Sequence, residues 1–230
     1  MRKLSLPYVG RIKEAAALHR IHEQRRHTLI VGPAGVGKTL LVTGLAQKLG
    51  LLICPQSELL GSICESLETE LGLEAGDLKL VQRKQRLLRV LAEENRTVVF
   101  DGVGWTTPKL SSFIERIMER VPIWICTRSE HSWDIGHFWT LLVRFEKIEL
   151  RPFRAAETRA CVAAAIQAGL IPSDVLNVVA WLHHRSNGSP LILGELLEEL
   201  AAHPYDLSSP YALRRLNLDR RIHEVFPSAP

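Results

Sequence analysis

The sequence has no apolar run approaching the roughly 20 residues that a membrane-spanning helix needs, so no membrane partner is expected. Its first residues, Met1-Arg-Lys-Leu-Ser-Leu-Pro7, lack the apolar centre of a secretory signal. The four cysteines, Cys54, Cys64, Cys126 and Cys161, are too scattered for the paired spacing of a metal or redox motif. Cys54 and Cys126 fall in apolar runs, so buried, reduced thiols and a cytoplasmic location are expected. Internal repeats and low-complexity segments are also missing. Charge of one sign is in slight excess only, with a net charge of +4, which leaves nucleic acid open as a partner without requiring it. The rest is ordinary for a globular chain: 230 residues, 46% hydrophobic and 23% charged, enough for one α/β domain with a small appendage.

Against this background one segment stands out. Gly32-Pro33-Ala34-Gly35-Val36-Gly37-Lys38-Thr39 satisfies the P-loop pattern G-x-x-x-x-G-K-[ST] at every fixed position. An apolar β-type run, Thr28-Leu-Ile-Val31, precedes it, and a helical pattern beginning with Lys38, Thr39 and Leu40 follows. The spacing has a chemical reason. Glycines let the backbone curl so that successive N–H groups face a triphosphate. The helix that starts here adds its positive N-terminal end. Lys38 supplies a point charge for the β- and γ-phosphates, and the Thr39 hydroxyl suits Mg²⁺. Gly32 through Leu40 are therefore the expected contacts for ATP or ADP.

Strand-like runs at 28–32, 51–54, 97–101, 122–127 and 146–150 alternate with helical patterns at 38–49, 57–72, 79–95 and 108–120. That alternation predicts an α/β core over 1–150 with a parallel five-stranded sheet. Residues 155–169, 172–186 and 190–203 then read as three helices without strands, an all-helical lid over 151–203. A tail, 204–230, contains a short helical pattern at 211–216 and a loosely held end.

Thr97-Val-Val-Phe-Asp101 is a buried-strand run ending in a carboxylate. In P-loop NTPases an Asp so placed helps hold Mg²⁺, so Asp101 joins Thr39 as a metal-site candidate; the plainer alternative is a turn-starting Asp before Gly102. Gly102 offers no side chain to act as a base, so either another residue polarises the water or hydrolysis is slow. Thr127-Arg128 ends the next strand, where Arg128 could face the γ-phosphate or simply cap a surface. Arg144, just before the last strand, is either a surface residue or an arginine finger toward a neighbouring subunit.

Taken in order, these motifs resemble an AAA+-related P-loop ATPase over about residues 7–203. Tyr8-Val9-Gly10-Arg11 is similar to the signature that opens origin-recognition and STAND-type ATPases, which implies that Gly10 and Arg11 lie near the adenine. Val98 to Asp101 resembles Walker B, Thr127-Arg128 a sensor 1 position, and Ile148-Glu-Leu-Arg-Pro-Phe153 with Glu157 the start of the lid. Asn187-Gly188-Ser189-Pro190-Leu191 is similar to the STAND lid motif, which implies that Pro190 packs near the base. Gly102 and the Ser189-Pro190 pair, standing where a Gly-x-x-Arg sensor 2 is usual, depart from the origin-recognition pattern. The extent resembles small ATPase regulators of DNA transposition. The resemblance implies an ATP-binding regulator that assembles, as a homo-oligomer on ATP binding, on DNA or a protein partner; the alternative is a STAND-like switch with little hydrolysis.

Two stretches are candidate partner surfaces. Lys79, Arg83, Lys84, Arg86 and Arg89 form a basic pattern that reads first as a solvated helix face and second as a phosphate-tracking surface. Trp133, His137, Phe138 and Trp139 read first as core or subunit contact and second as a base-stacking platform.

Overall fold

In the computed structural model the described residues are 10–55, 59–74 and 76–225. Tyr8, Val9, the start of the 57–72 pattern and the last five residues of the tail lie outside them. The described residues divide into two compact units: one of residues 13–34 and 38–150, the other of residues 10–12, 35–37 and 151–225.

The first unit is built on β1 (Thr28–Val31), β2 (Leu52–Cys54), β3 (Val98–Phe100), β4 (Ile123–Thr127) and β5 (Glu146–Glu149). Each lies within one residue of its sequence pattern. They form one sheet in the order β2-β3-β4-β1-β5, with every neighbouring pair parallel. The central strands β1, β3 and β4 are buried throughout, as their unbroken apolar runs require, whereas edge strand β5 buries only Ile148.

The helices are α1 (Ile12–Glu23), α2 (Lys38–Leu49), α3 (Leu60–Glu70), α4 (Leu80–Glu94), α5 (Pro108–Met118) and the short α6 (Ser132–Ile135), followed by a 3-10 helix, His137–Arg144. α5 shows how sequence makes such an element. The Thr107 hydroxyl accepts the Leu110 N–H, Pro108 occupies the first turn, and Leu110, Phe113, Ile114, Ile117 and Met118 fall on one face. Each of those large apolar side chains contributes about 1.5–3 kcal/mol by leaving water. α1 has little signal in the sequence, because only Leu18 and Ile21 mark its buried stripe.

The basic pattern of α4 is partly consumed by packing. The Arg83 and Arg86 guanidiniums converge on the Glu68 carboxylate of α3, whose side chain is only 3% exposed; Arg86 reaches it at 2.9 Å. Burial raises the Glu68 pKa, but the hydrogen bonds and charges of the two arginines prevail and hold it below its ordinary 4.5. The Lys84 ammonium lies 5.9 Å from the centre of the Phe113 ring.

The second unit is helical: α7 (Ala155–Gln167), a 3-10 helix Ser173–Val178, α8 (Val179–Ser186), α9 (Pro190–Ala202) and α10 (Pro210–Val225). The 172–186 pattern, expected as one helix, is 3-10 until Val179. The expected short 211–216 helix runs through sixteen residues, because Leu216 is fully buried with Val162, Leu182, Leu196 and Leu197 and so anchors it.

Candidate functional site

A parallel sheet brings the carboxyl ends of its strands to one edge, where ligands of α/β folds bind. Here that edge collects the ends of β1, β3 and β4, hence the P-loop, Asp101 and Thr127-Arg128. Since β4 lies between β1 and β3, its tip stands between the loop and the carboxylate. The Gly32 N–H donates to the Thr127 carbonyl at 3.3 Å, tying the loop's start to that tip.

Across 62 residues of sequence, the Thr39 hydroxyl donates to the Asp101 carboxylate at 2.6 Å. Asp101 is 7% exposed and Thr39 is exposed, so the pair offers hard oxygen atoms at the surface of a rigid strand end. Such oxygens fit Mg²⁺, and these two residues would hold it. Lys38 donates to the Gly32 carbonyl at 2.6 Å and the Pro33 carbonyl at 3.0 Å. Burial lowers its pKa; the Asp101 charge opposes that and the Arg128 charge adds to it. Cys126 lies beneath, fully buried, its thiol pushed up chiefly by burial. All four cysteines are buried free thiols.

Gly102 is left-handed, with φ +71°, although no atom within 4 Å would meet an added Cβ. Backbone conformation rather than space favours glycine here. Arg128 is exposed beside Thr127.

Arg144 sits elsewhere. It ends the 3-10 helix just before β5, at the amino-terminal edge of the sheet, opposite the P-loop edge. It lines a cavity of about 460 Å³ with Arg25, Arg26 and His27, and approaches Glu115 at 3.9 Å. Its own chain's P-loop lies at the other edge.

In the helical unit, the loop tip 35–37 is held by its own neighbours. Leu191 N–H and the Ser189 hydroxyl donate to the Gly35 carbonyl at 3.1 and 3.3 Å, and Ser189 also caps α9. Pro190 lies against Gly37, its ring carbons 3.8 Å from where a Cβ would be. Arg11, 4% exposed, donates to the carbonyls of Val36 at 3.0 Å and Arg151 at 2.6 Å and stacks on Phe153. Gly10 also abuts the Phe153 ring. The role of Ser189 and Leu191 in holding the loop was not apparent from sequence. The motif placed Ser189 at a helix start, but the carbonyl it would meet lies 154 residues away.

The same fold recurs in solved structures. The Orc1 protein of Aeropyrum pernix, solved in complex with DNA, superposes with a TM-score of 0.69 at 17% identity, over 98% of this chain and 70% of that one. A Walker-type ATPase of Pyrococcus abyssi matches with a TM-score of 0.66 at 15% identity, over 96% and 74% of the two chains. A STAND protein of Pyrococcus horikoshii with a tetratricopeptide repeat sensor matches with a TM-score of 0.53 at 15% identity, over 93% of this chain but 32% of that one. The fold is that of the AAA+/STAND-related P-loop ATPases. No family model and no curated protein sequence matches the chain. Among the described residues no helix is long and apolar enough to cross a membrane.

Proposed function

We propose that this AAA+/STAND-type chain binds ATP or ADP with Mg²⁺ and acts as a regulatory ATPase that assembles on DNA or a protein partner. The observation that carries the nucleotide reading is the 2.6 Å Thr39–Asp101 hydrogen bond beside Lys38, which joins two distant motifs into one Mg²⁺-compatible oxygen pair. Lys38 and the loop N–H groups would take the phosphates. Bound Mg²⁺ would neutralise charge on the β- and γ-phosphate oxygens. The resemblance assigns base-side contacts to Gly10, Arg11 and Pro190, of which Arg11 and Pro190 touch loop residues 35–37 of their own unit. Arg128 stands as the sensor and Arg144 as the residue offered to a neighbouring copy's nucleotide. That role would make oligomerisation ATP-dependent.

A second reading, a switch that retains ADP and turns over little, draws support from the left-handed Gly102 and from the Ser189-Pro190 start of α9. Binding of a fluorescent ATP analogue tests the first level: Lys38→Ala should abolish most affinity, and unchanged affinity refutes the site. Steady-state phosphate release separates the two readings, since rapid turnover by the chain alone excludes the switch. Salt-dependent DNA binding promoted by ATP supports the DNA role, and no binding at low salt removes it.

A further inference from the structure

Three of the five tryptophans are exposed: Trp105 by 60%, Trp133 by 70% and Trp139 by 53%. All three lie near Gly136, Trp105 in space and Trp133 and Trp139 along the chain. The Trp105 ring lies 3.1 Å from the position of a Gly136 Cβ, and Trp133 and Trp139 stand three residues to either side. The backbone beneath is fixed. Thr106, wholly buried, receives the His137 N–H at 3.2 Å on its carbonyl and the Phe138 N–H at 2.9 Å on its hydroxyl, and that hydroxyl also donates to the Ile135 carbonyl. A Cβ on Gly136, at φ +62°, would come within 2.6 Å of the Thr106 carbonyl. Two loops, one after β3 and one after β4, are thus locked together by buried hydrogen bonds while presenting large apolar rings to water. Exposed apolar patches of this kind mark binding surfaces, and pre-organisation lowers the entropic cost of using them.

Its chemistry selects the occupant. Trp133 already stacks on His131, centroids 4.4 Å apart and planes 14° from parallel, so a further flat ring can extend the stack. Lys109 and Arg128, both exposed, lie four residues after Trp105 and five before Trp133 along the chain. Glu130 is paired with Lys147, leaving Asp134 as the other carboxylate between 128 and 139. Aromatic faces interleaved with cations suit unstacked bases on a phosphate backbone. We propose that Trp105, Trp133 and Trp139 form a platform for single-stranded nucleic acid, at the same sheet edge as Asp101. The proposal deepens, and rests on, the DNA arm of the proposed function.

The test is fluorescence anisotropy of the full chain with a labelled 20-mer of thymidine and with a labelled duplex, at low salt, alongside binding of a fluorescent ATP analogue. Trp133→Ala and Trp139→Ala should each weaken thymidine binding about tenfold or more, with Trp133→Phe retaining most of it and ATP affinity unchanged throughout. Alanine variants within twofold of wild type overturn the proposal. So does loss of self-association without loss of oligonucleotide affinity, which makes the patch a contact between copies. Duplex binding that is indifferent to these tryptophans, with no thymidine binding, also overturns it yet leaves the DNA reading standing. No DNA binding of any kind ends both, while ATP binding sensitive to Lys38 would still hold.

Discussion

Replacing Asp101 by Asn isolates the carboxylate's charge from its shape. The amide oxygen can still accept the Thr39 hydroxyl, which now sits 2.6 Å from the carboxylate, so the strand end and P-loop should keep their positions. Two unit charges 4 Å apart at an effective dielectric of 20 attract by about 4 kcal/mol. Desolvation of the 7%-exposed carboxylate offsets part of that, leaving about 1.5–3 kcal/mol, the usual worth of a hydrogen bond to a charged group. Mg·ATP affinity should therefore fall roughly ten- to a hundredfold. In EDTA the sign differs. Asp101 then faces phosphates without a bridging cation, so its neutralisation should leave metal-free ATP binding unchanged or slightly stronger. Lys38→Ala, by contrast, should weaken binding with and without metal. Titration calorimetry in both media reads these outcomes directly. An equal loss for Asp101→Asn in Mg²⁺ and in EDTA would refute the assignment of Asp101 to the metal.

The structure makes further predictions about stability. Gly102→Ala should cost about 1–2 kcal/mol because φ is +71°, and Gly102→Asn should cost less because Asn tolerates that region; thermal denaturation that ranks them the other way excludes backbone strain as the reason for glycine. Glu68→Gln should lose about 1.5–3 kcal/mol, the usual worth of a hydrogen bond to a charged group, because the amide still offers one oxygen and Arg86 keeps the Glu74 carbonyl. The Glu68 pKa is lowered on folding, so its contribution is present above 4.5 and lost as pH falls through the folded value; the gap between wild type and variant should close in acid, and a pH-independent gap argues against an ionic origin. His27 accepts the Ile123 N–H at Nδ1, and burial first, then Arg144, lowers its pKa. Folding thus favours neutral His27, stability should fall as pH drops below 6.5, and His27→Gln should flatten that part of the denaturation profile if the histidine is responsible.

The chain's own order of residues determined the local devices. The P-loop is legible in the sequence because its glycines, Lys38 and Thr39 fall within eight consecutive positions. The strands were found because burial on both faces demands unbroken apolar runs. The pattern at 211–216 understates α10 because the helix's length depends on Leu216 entering a core made by helices elsewhere in the sequence. Tertiary structure alone decided what rests on distant pairing. Sheet order put β4 between β1 and β3, gathering Asp101 and Thr127 beside the loop while sending Arg144 to the opposite edge. In α4, spacing showed a basic face, but only the approach of α3 turned Arg83 and Arg86 inward to Glu68. Among the aromatics, the sequence could not tell Phe138, wholly buried, from Trp133 and Trp139, which face water. The reason is the same each time: composition fixes what a side chain can do, but a partner far along the chain fixes which groups it meets.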